Sequence, residues 1–303
     1  MSRTLEEILD SPAPAGVRLI AGALLDEWLE TLPRLHAHGT GDEEALHDYR
    51  VALRKLRSWL KAFDEGGGKA QKQLSDLNEG TGNARDYEVM VAWLKGDTSP
   101  AADFAREKLK VGGVDLGWVE ARTQRVGERL SDKLDRYSLE VPLGRAAAVV
   151  PFSWAYAAAL RRLHHELTDS ALRVGSLEDP ERLHKVRIRA KRLRYALGPL
   201  KEWPEAADAI RLLKERQDVL GELHDRHAFQ LQLDGLIGQQ PLPEVQQGLQ
   251  ALLVKARDEG HALFQRYSEH RHANDVRLAA LVDVVSERLG KRLGLHVEVV
   301  PQG

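Results

Sequence analysis

Two stretches of the chain carry cations at a spacing that suits a linear anion. Leu46-His47-Asp48-Tyr49-Arg50-Val51-Ala52-Leu53-Arg54-Lys55-Leu56-Arg57 superposes on Leu183-His184-Lys185-Val186-Arg187-Ile188-Arg189-Ala190-Lys191-Arg192-Leu193-Arg194 at a constant offset of 137 residues. His47 falls on His184, Arg50 on Arg187, Arg54 on Lys191, Lys55 on Arg192 and Arg57 on Arg194. At about 100° per helical residue, His47, Arg50, Arg54, Arg57 and Lys61 share one arc, as do His184, Arg187, Lys191 and Arg194. Successive members lie one turn, ~5 Å, apart along the axis. The second stretch holds six Lys or Arg and no acid; the first holds four and one acid, Asp48. Like charges at i, i+3 and i+4 repel by a few tenths of a kcal/mol per pair. A row without interspersed acids therefore calls for an external anion. The guanidinium forks that dominate it chelate phosphate oxygens.

One such helix alone would ordinarily be a solvated face balanced by acids on its neighbours. Two copies at matching positions favour a ligand. His47 and His184 each open a row, either as capping or packing residues or as anion ligands that strengthen on protonation. A second echo lies further on. Gly82-Asn83-Ala84-Arg85-Asp86 aligns with Gly221-Glu222-Leu223-His224-Asp225 at an offset of 139. Asp86 and Asp225 suit helix caps or partners for basic side chains better than general bases. Lys69, Lys72, Arg211 and Lys214 are additional candidates on the helices that follow each row, and surface charge explains them at least as well.

The elements that must hold these rows read as helices throughout. Expected spans are 16–32, ending at Pro33; 42–64, with Asp42 as N-cap and Gly66-Gly67-Gly68 as stop; 69–77; 84–94; and 101–137, interrupted at Gly112-Gly113. The pattern restarts with 149–172, then 179–197, which has Pro180 in its first turn and Gly198-Pro199 as its end. Helices from 204 past 227, bent at Gly221, from 242 to 270 and from 274 to 289 complete the chain. The one β-branched-rich stretch is Val297–Val300. The fold class is all-α, with similar halves at 12–140 and 145–293 joined near Ser138 to Gly144.

Composition narrows the function. The 303 residues are 43% hydrophobic and 30% charged, enough for a packed core. Lys+Arg 44 against Asp+Glu 46 gives a net charge of −2, which argues against a generic nucleic-acid binder but not against a local basic patch. The absence of cysteine excludes disulfides, thiolate zinc sites and cysteine nucleophiles. With no signal-peptide pattern and no apolar run of membrane length, the expectation is a cytoplasmic protein that does not engage a membrane.

Other chemistries fit less well. Gly66-Gly67-Gly68-Lys69 resembles a phosphate nest, but Phe63 and Ala70 stand where a P-loop needs Gly and Ser or Thr. His47-Asp48 and His224-Asp225 spell the dyad of metal-dependent phosphohydrolases, yet neither dyad repeats in the other half. His224 with His227, and His164 with His165, lack a full ligand complement. No nucleophile elbow or dinucleotide fingerprint occurs. The sequence assigns no catalytic residue, metal or cofactor.

The doubled motif His-x-x-Arg-(Val/Ile)-x-x-(Arg/Lys)-(Arg/Lys)-Leu-Arg, with Arg85-Asp86 and His224-Asp225, resembles the CHAD domain, the conserved histidine α-helical domain, over roughly residues 14–293. That resemblance implies two four-helix bundles related by a pseudo-two-fold axis around a basic central channel or groove that binds inorganic polyphosphate. The Glu-x-Glu-x-Lys signature of the triphosphatase domain that often precedes it is missing, so a stand-alone CHAD protein without a hydrolase is expected. By position the polyphosphate ligands would be His47, Arg50, Arg54, Arg57, His184, Arg187, Lys191 and Arg194, with Lys55, Lys61, Arg189 and Arg192 as second choices. The function expected is non-catalytic polyphosphate binding, extending to localisation at polyphosphate granules. The alternatives are a nucleic-acid binder using the same rows and, less favoured, an HD-type phosphohydrolase. Trp59 and Tyr195 flank the rows without repeating inside them, which fits base stacking poorly.

Overall fold

The 3.6-residue recurrence of apolar side chains becomes helix in a computed structural model that describes residues 3–38, 43–63, 67–82, 89–108, 114–139, 150–239 and 242–291. The helices are α1 (Leu5–Leu9), α2 (Ala13–Glu30), α3 (Leu32–His38), α4 (Glu43–Ala62), α5 (Gly67–Gly80), α6 (Pro100–Lys108), α7 (Leu116–Leu139), α8 (Phe152–Leu172), α9 (Pro180–Leu197), α10 (Pro204–Ile237) and α11 (Pro243–Gly290), with a 3-10 turn at Gly198–Leu200. Residues 89–93 are helical too. Among the described residues the only extended pairing is an isolated bridge between Pro12 and Pro151, so the chain is all-α as expected. No helix among them is long and apolar enough to cross a membrane.

Local rules account for the ends of α9. The Asp179 carboxylate accepts the Arg182 backbone N–H at 3.1 Å, Pro180 occupies the first turn, and Gly198-Pro199 closes the helix. Two expectations need correction; the Gly221 position lies within α10, which continues through it. Pro33 does not end the helical run but sits in the first turn of α3, where its missing N–H is harmless. The break expected at 271–273 is absent: α11 runs 48 residues, about 72 Å at 1.5 Å per residue. Side-chain anchors flank that point. Arg271 donates to the carbonyls of Ala171 and Val174 at 3.1 and 3.3 Å, and Asp275 pairs with the buried Arg216. The Asp42 cap, Gly112-Gly113, Arg85-Asp86, Val297–Val300 and most of the 138–144 joint lie outside the described residues.

The packing order repeats. α2 touches α4 and α7, and α5 touches the same two. In the second half α8 touches α9 and α11, and α10 touches the same two. The halves meet where α4 lies against α9 and α2 against α8. At the starts of α2 and α8, Ala13 N–H donates to Val150 O at 2.9 Å and Phe152 N–H donates to Ser11 O at 2.8 Å. These two bonds interchange under the 139-residue offset. Gly16 is required there, because a Cβ would fall 2.3 Å from Phe152 Cγ.

One apolar core runs through both halves, and its centre is aromatic. Trp59 of α4 is 1% exposed and donates to Val17 O at 3.0 Å. It meets Tyr156 edge-on at 5.4 Å and lies 4.6 Å from Phe63. Trp59→Ala is expected to lower stability by about 3–5 kcal/mol, read as a shift in the denaturant midpoint of helical circular dichroism. A second core belongs to residues 89–108, which cross over to rest on α10 and α11 rather than on α2, α4 or α5. Met90, Leu94 and Ala102 pack there against residues that include Phe229, Leu233 and Leu249, and Trp93 Nε1 donates to Glu259 at 2.9 Å.

Candidate anion-binding cleft

The cation rows are the core rows displaced by one residue. In α4 the buried series is Leu46, Tyr49, Leu53, Leu56 and Leu60, and the basic series is His47, Arg50, Arg54, Arg57 and Lys61. In α9 the buried series is Leu183, Val186, Ala190, Leu193 and Leu197, and the basic series is His184, Arg187, Lys191 and Arg194. One residue is ~100° of rotation, so burying the first series turns the second to the edge of the core. Because α4 packs on α9, the two edges face one cleft.

That cleft has a volume of about 510 Å3. From α4 it takes His47, Arg50, Arg54, Arg57, Ser58 and Lys61, and from α5 Ser75, Asn78 and Glu79. From α9 it takes His184, Arg187, Ile188, Lys191, Arg192 and Tyr195, and from α10 His224 and Asp225; Val89 completes the wall. Among the described residues seven Lys or Arg thus line it against two carboxylates. Among the described residues Arg54, Arg57, Lys61, Lys191 and Arg192 form no salt bridge with a carboxylate. Hydrogen bonds orient the α4 row. Arg50 Nη1 donates to Thr81 Oγ1 at 3.1 Å and Asn78 O at 3.4 Å, and Arg54 Nε donates to Arg50 O at 2.9 Å.

Crowded cations and partial burial shift titrations. Lys191 is depressed to about 7, first by desolvation and then by Arg187, Arg54, Arg194 and Arg50. Burial is also the main depressant of Arg57 and Arg192, while Lys61 is lowered chiefly by Arg192. The His184 and His224 rings lie 5.2 Å apart. Desolvation, then Arg187, lowers both, His224 to about 4. Burial first, and neighbouring cations second, thus favour the uncharged forms of Lys191, His184 and His224.

The candidates divide by placement. His47, Arg50, Arg54, Arg57, Lys61, His184, Arg187, Lys191 and Arg192 come together on the cleft. Arg194 stacks its guanidinium over Tyr195 at 4.9 Å and acts on Lys191 without lining the wall. Lys55 pairs with Glu27 of α2. Arg189 donates to Glu166 O at 2.7 Å and to Ser170 Oγ, tying α9 to α8. Lys69 and Lys72 are exposed away from the cleft; Arg211 pairs with Asp208 and Glu215, and Lys214 with Asp218. Asp48 is held by Arg34 at 2.9 Å, so the His47-Asp48 pair does not point a carboxylate into the cleft. Among the described residues no three His, Asp or Glu side chains are grouped to hold a metal ion. Arg189→Ala is expected to cost about 1–3 kcal/mol of stability, since it leaves the buried Ser170 hydroxyl without that donor and removes a tie between α9 and α8. Polyanion affinity should stay within about twofold, measured by titration, because salt screens a charge on the far side of α9.

Sequence reasoning underrated Arg192, Tyr195 and His224. Ile188, Arg192 and Tyr195 form a second row on α9 at i, i+4 and i+7, so this helix presents a broader face than a single arc. His224 carries a signal as the counterpart of Arg85 in the second echo and as part of the His224-Asp225 pair.

A family model described as the CHAD domain matches residues 19–234. An uncharacterized protein of Mycobacterium tuberculosis, Rv2226, is 30% identical over 198 residues, 58% of this chain and 38% of that protein. The chain thus spans less than two-fifths of this relative's length. Its fold is similar to the CHAD domain of the plant Ricinus communis, at 22% identity and TM-score 0.59 over 93% of this chain and 94% of that one. It is also similar to PptA from Streptomyces chartreusis, at 17% identity and TM-score 0.62 over 86% and 99%. With the doubled histidine and arginine motif on two packed helices and the family match across most of its length, the chain belongs to the CHAD-domain family.

Proposed function

We propose that the chain binds inorganic polyphosphate in the cleft between α4 and α9 and does not catalyse its cleavage. The observation that carries this reading is the count among the described wall residues: seven Lys or Arg against two carboxylates, in two rows of matching residues. A polyphosphate chain offers closely spaced negative charges in a line, which suits rows with one cation per turn. The reading includes two four-helix units related by a pseudo-two-fold axis, with the cleft as the basic groove between them. The repeated packing order and the interchanging bonds at Ser11, Ala13, Val150 and Phe152 support that arrangement. Among the described residues Tyr195 is the only aromatic side chain on the wall besides imidazoles, and Trp59 is spent in the core, so base stacking gains little support. The same chemistry would hold the protein at polyphosphate granules in the cytoplasm.

Titration with polyphosphate at two salt concentrations tests the proposal. Affinity from many phosphate contacts falls linearly in log–log form with salt, by ~0.7 per contact on a single strand. A slope equivalent to several contacts is expected. Salt-independent binding, or none, would remove the proposal.

A further inference from the structure

Beside the cleft lies a second cavity of about 400 Å3, within the usual size of small-molecule sites. It is enclosed by α9, α10, α11 and the chain just before α9. Its character is different. Leu177, Pro180, Leu183, Leu220 and Leu223 make its walls, Gln230, His227 and His261 bring hydrogen-bonding groups to them, and the exposed Glu178 and Arg257 add one charge of each sign. Phosphate would lose hydration against those leucines without full compensation. A flat, largely apolar ring with a few heteroatoms is rewarded there.

The two cavities share His184 and His224, whose rings mark the boundary between them. A ligand reaching across this boundary would leave its phosphates among Arg187, Lys191 and Arg54 and place an esterifying group among the leucines. Arg226, on the cavity rim, is paired with Glu259 and stacked near Trp93 and Phe229, so it adds little free charge. We propose that this cavity is a subsite for the nucleoside of a nucleoside polyphosphate, continuous with the phosphate cleft. The proposal rests on the polyphosphate reading of that cleft and adds a second, chemically distinct ligand class.

Comparing ATP with tripolyphosphate tests it, because the two have the same number of phosphates. Esterification removes about one negative charge, so electrostatics alone makes ATP the weaker ligand. With a nucleoside subsite ATP should bind at least about tenfold more tightly. Gly260 is buried on the cavity wall, and a Cβ there meets Gln230, Leu177 and Arg226 at 3.7–3.9 Å, ordinary contact distances. Gly260→Leu therefore fills the cavity from within a helix without touching the cleft. It should erase the ATP advantage and leave tripolyphosphate affinity within about twofold. Should that variant misfold, Leu177→Phe fills the same space from outside the helices. Equal or weaker ATP binding by the unaltered protein overturns the subsite and leaves the cleft standing, as does an advantage that survives filling. Failure of both ligands to bind overturns the polyphosphate reading itself.

Discussion

Reversing Arg54 and Arg187 together to Glu is expected to weaken polyphosphate binding by roughly a hundredfold or more while the helical signal persists. One residue comes from each row, and both line the cleft. Each charge-assisted phosphate contact contributes about 1.5–3 kcal/mol, and 1.4 kcal/mol is tenfold in affinity, so two lost contacts reach that range before repulsion is added. The salt slope should flatten as well, because fewer counterions are released. Two carboxylates entering a crowded cation cluster relieve like-charge repulsion in the free protein, which offsets the loss of the Arg54 hydrogen bond to Arg50 O and of the interactions Arg187 makes. Titration of the double variant, with a denaturant curve beside it, separates lost binding from lost fold. Undiminished affinity would place the ligand elsewhere.

Affinity is also expected to fall as pH rises from about 7 towards 10. Lys191 titrates near 7 in the free protein. The groups that act on it are Arg187 and Arg194 of its own helix and Arg50 and Arg54 of α4. A bound polyanion offsets their repulsion and raises the lysine back towards its ordinary value near ~10.4. Between the two values binding takes up a proton, so affinity declines by at most about tenfold per pH unit. Below about 7 the lysine is charged in both states and its contribution levels off. At acid pH protonation of His184 and His224 on binding strengthens the complex further, His224 titrating from about 4. The stability of the free protein runs the other way. A lysine depressed by folding is a penalty below about 7 that disappears as pH approaches the unfolded value. Lys191→Arg keeps the charge at every pH and should flatten the neutral-to-alkaline limb. Calorimetry in buffers of different ionisation enthalpy would register the proton uptake near pH 8 and its loss in that variant.

The part of the site that follows from periodicity was legible in the sequence. A basic row one residue out of step with a core row must lie at the core's edge, and two such helices at one offset must be equivalent elements. What that arithmetic lacks is the identity of each neighbour. Lys55 and Arg189 carry the same charge as their cleft-lining companions, yet Glu27 and the Ser170 hydroxyl with the Glu166 carbonyl claim them. Arg192 lines the cleft with Ile188 and Tyr195, a second row on α9 that a single arc does not include. The passage of α11 through 271–273 turned on Arg271 and Asp275 reaching α8 and α10, contacts distant in sequence. The crossover of residues 89–108 to α10 and α11 was equally hidden, because small alanines on α6 look alike whichever helix they meet.

Competition between polyphosphate and an RNA of equal charge on the unaltered protein tests the central claim most directly. Two cation rows facing one aromatic-poor cleft predict that RNA displaces labelled polyphosphate only at a large excess, and that Arg54→Glu/Arg187→Glu abolishes the labelled complex. Displacement by RNA at matching concentration, or a labelled complex that survives the double reversal, would contradict it.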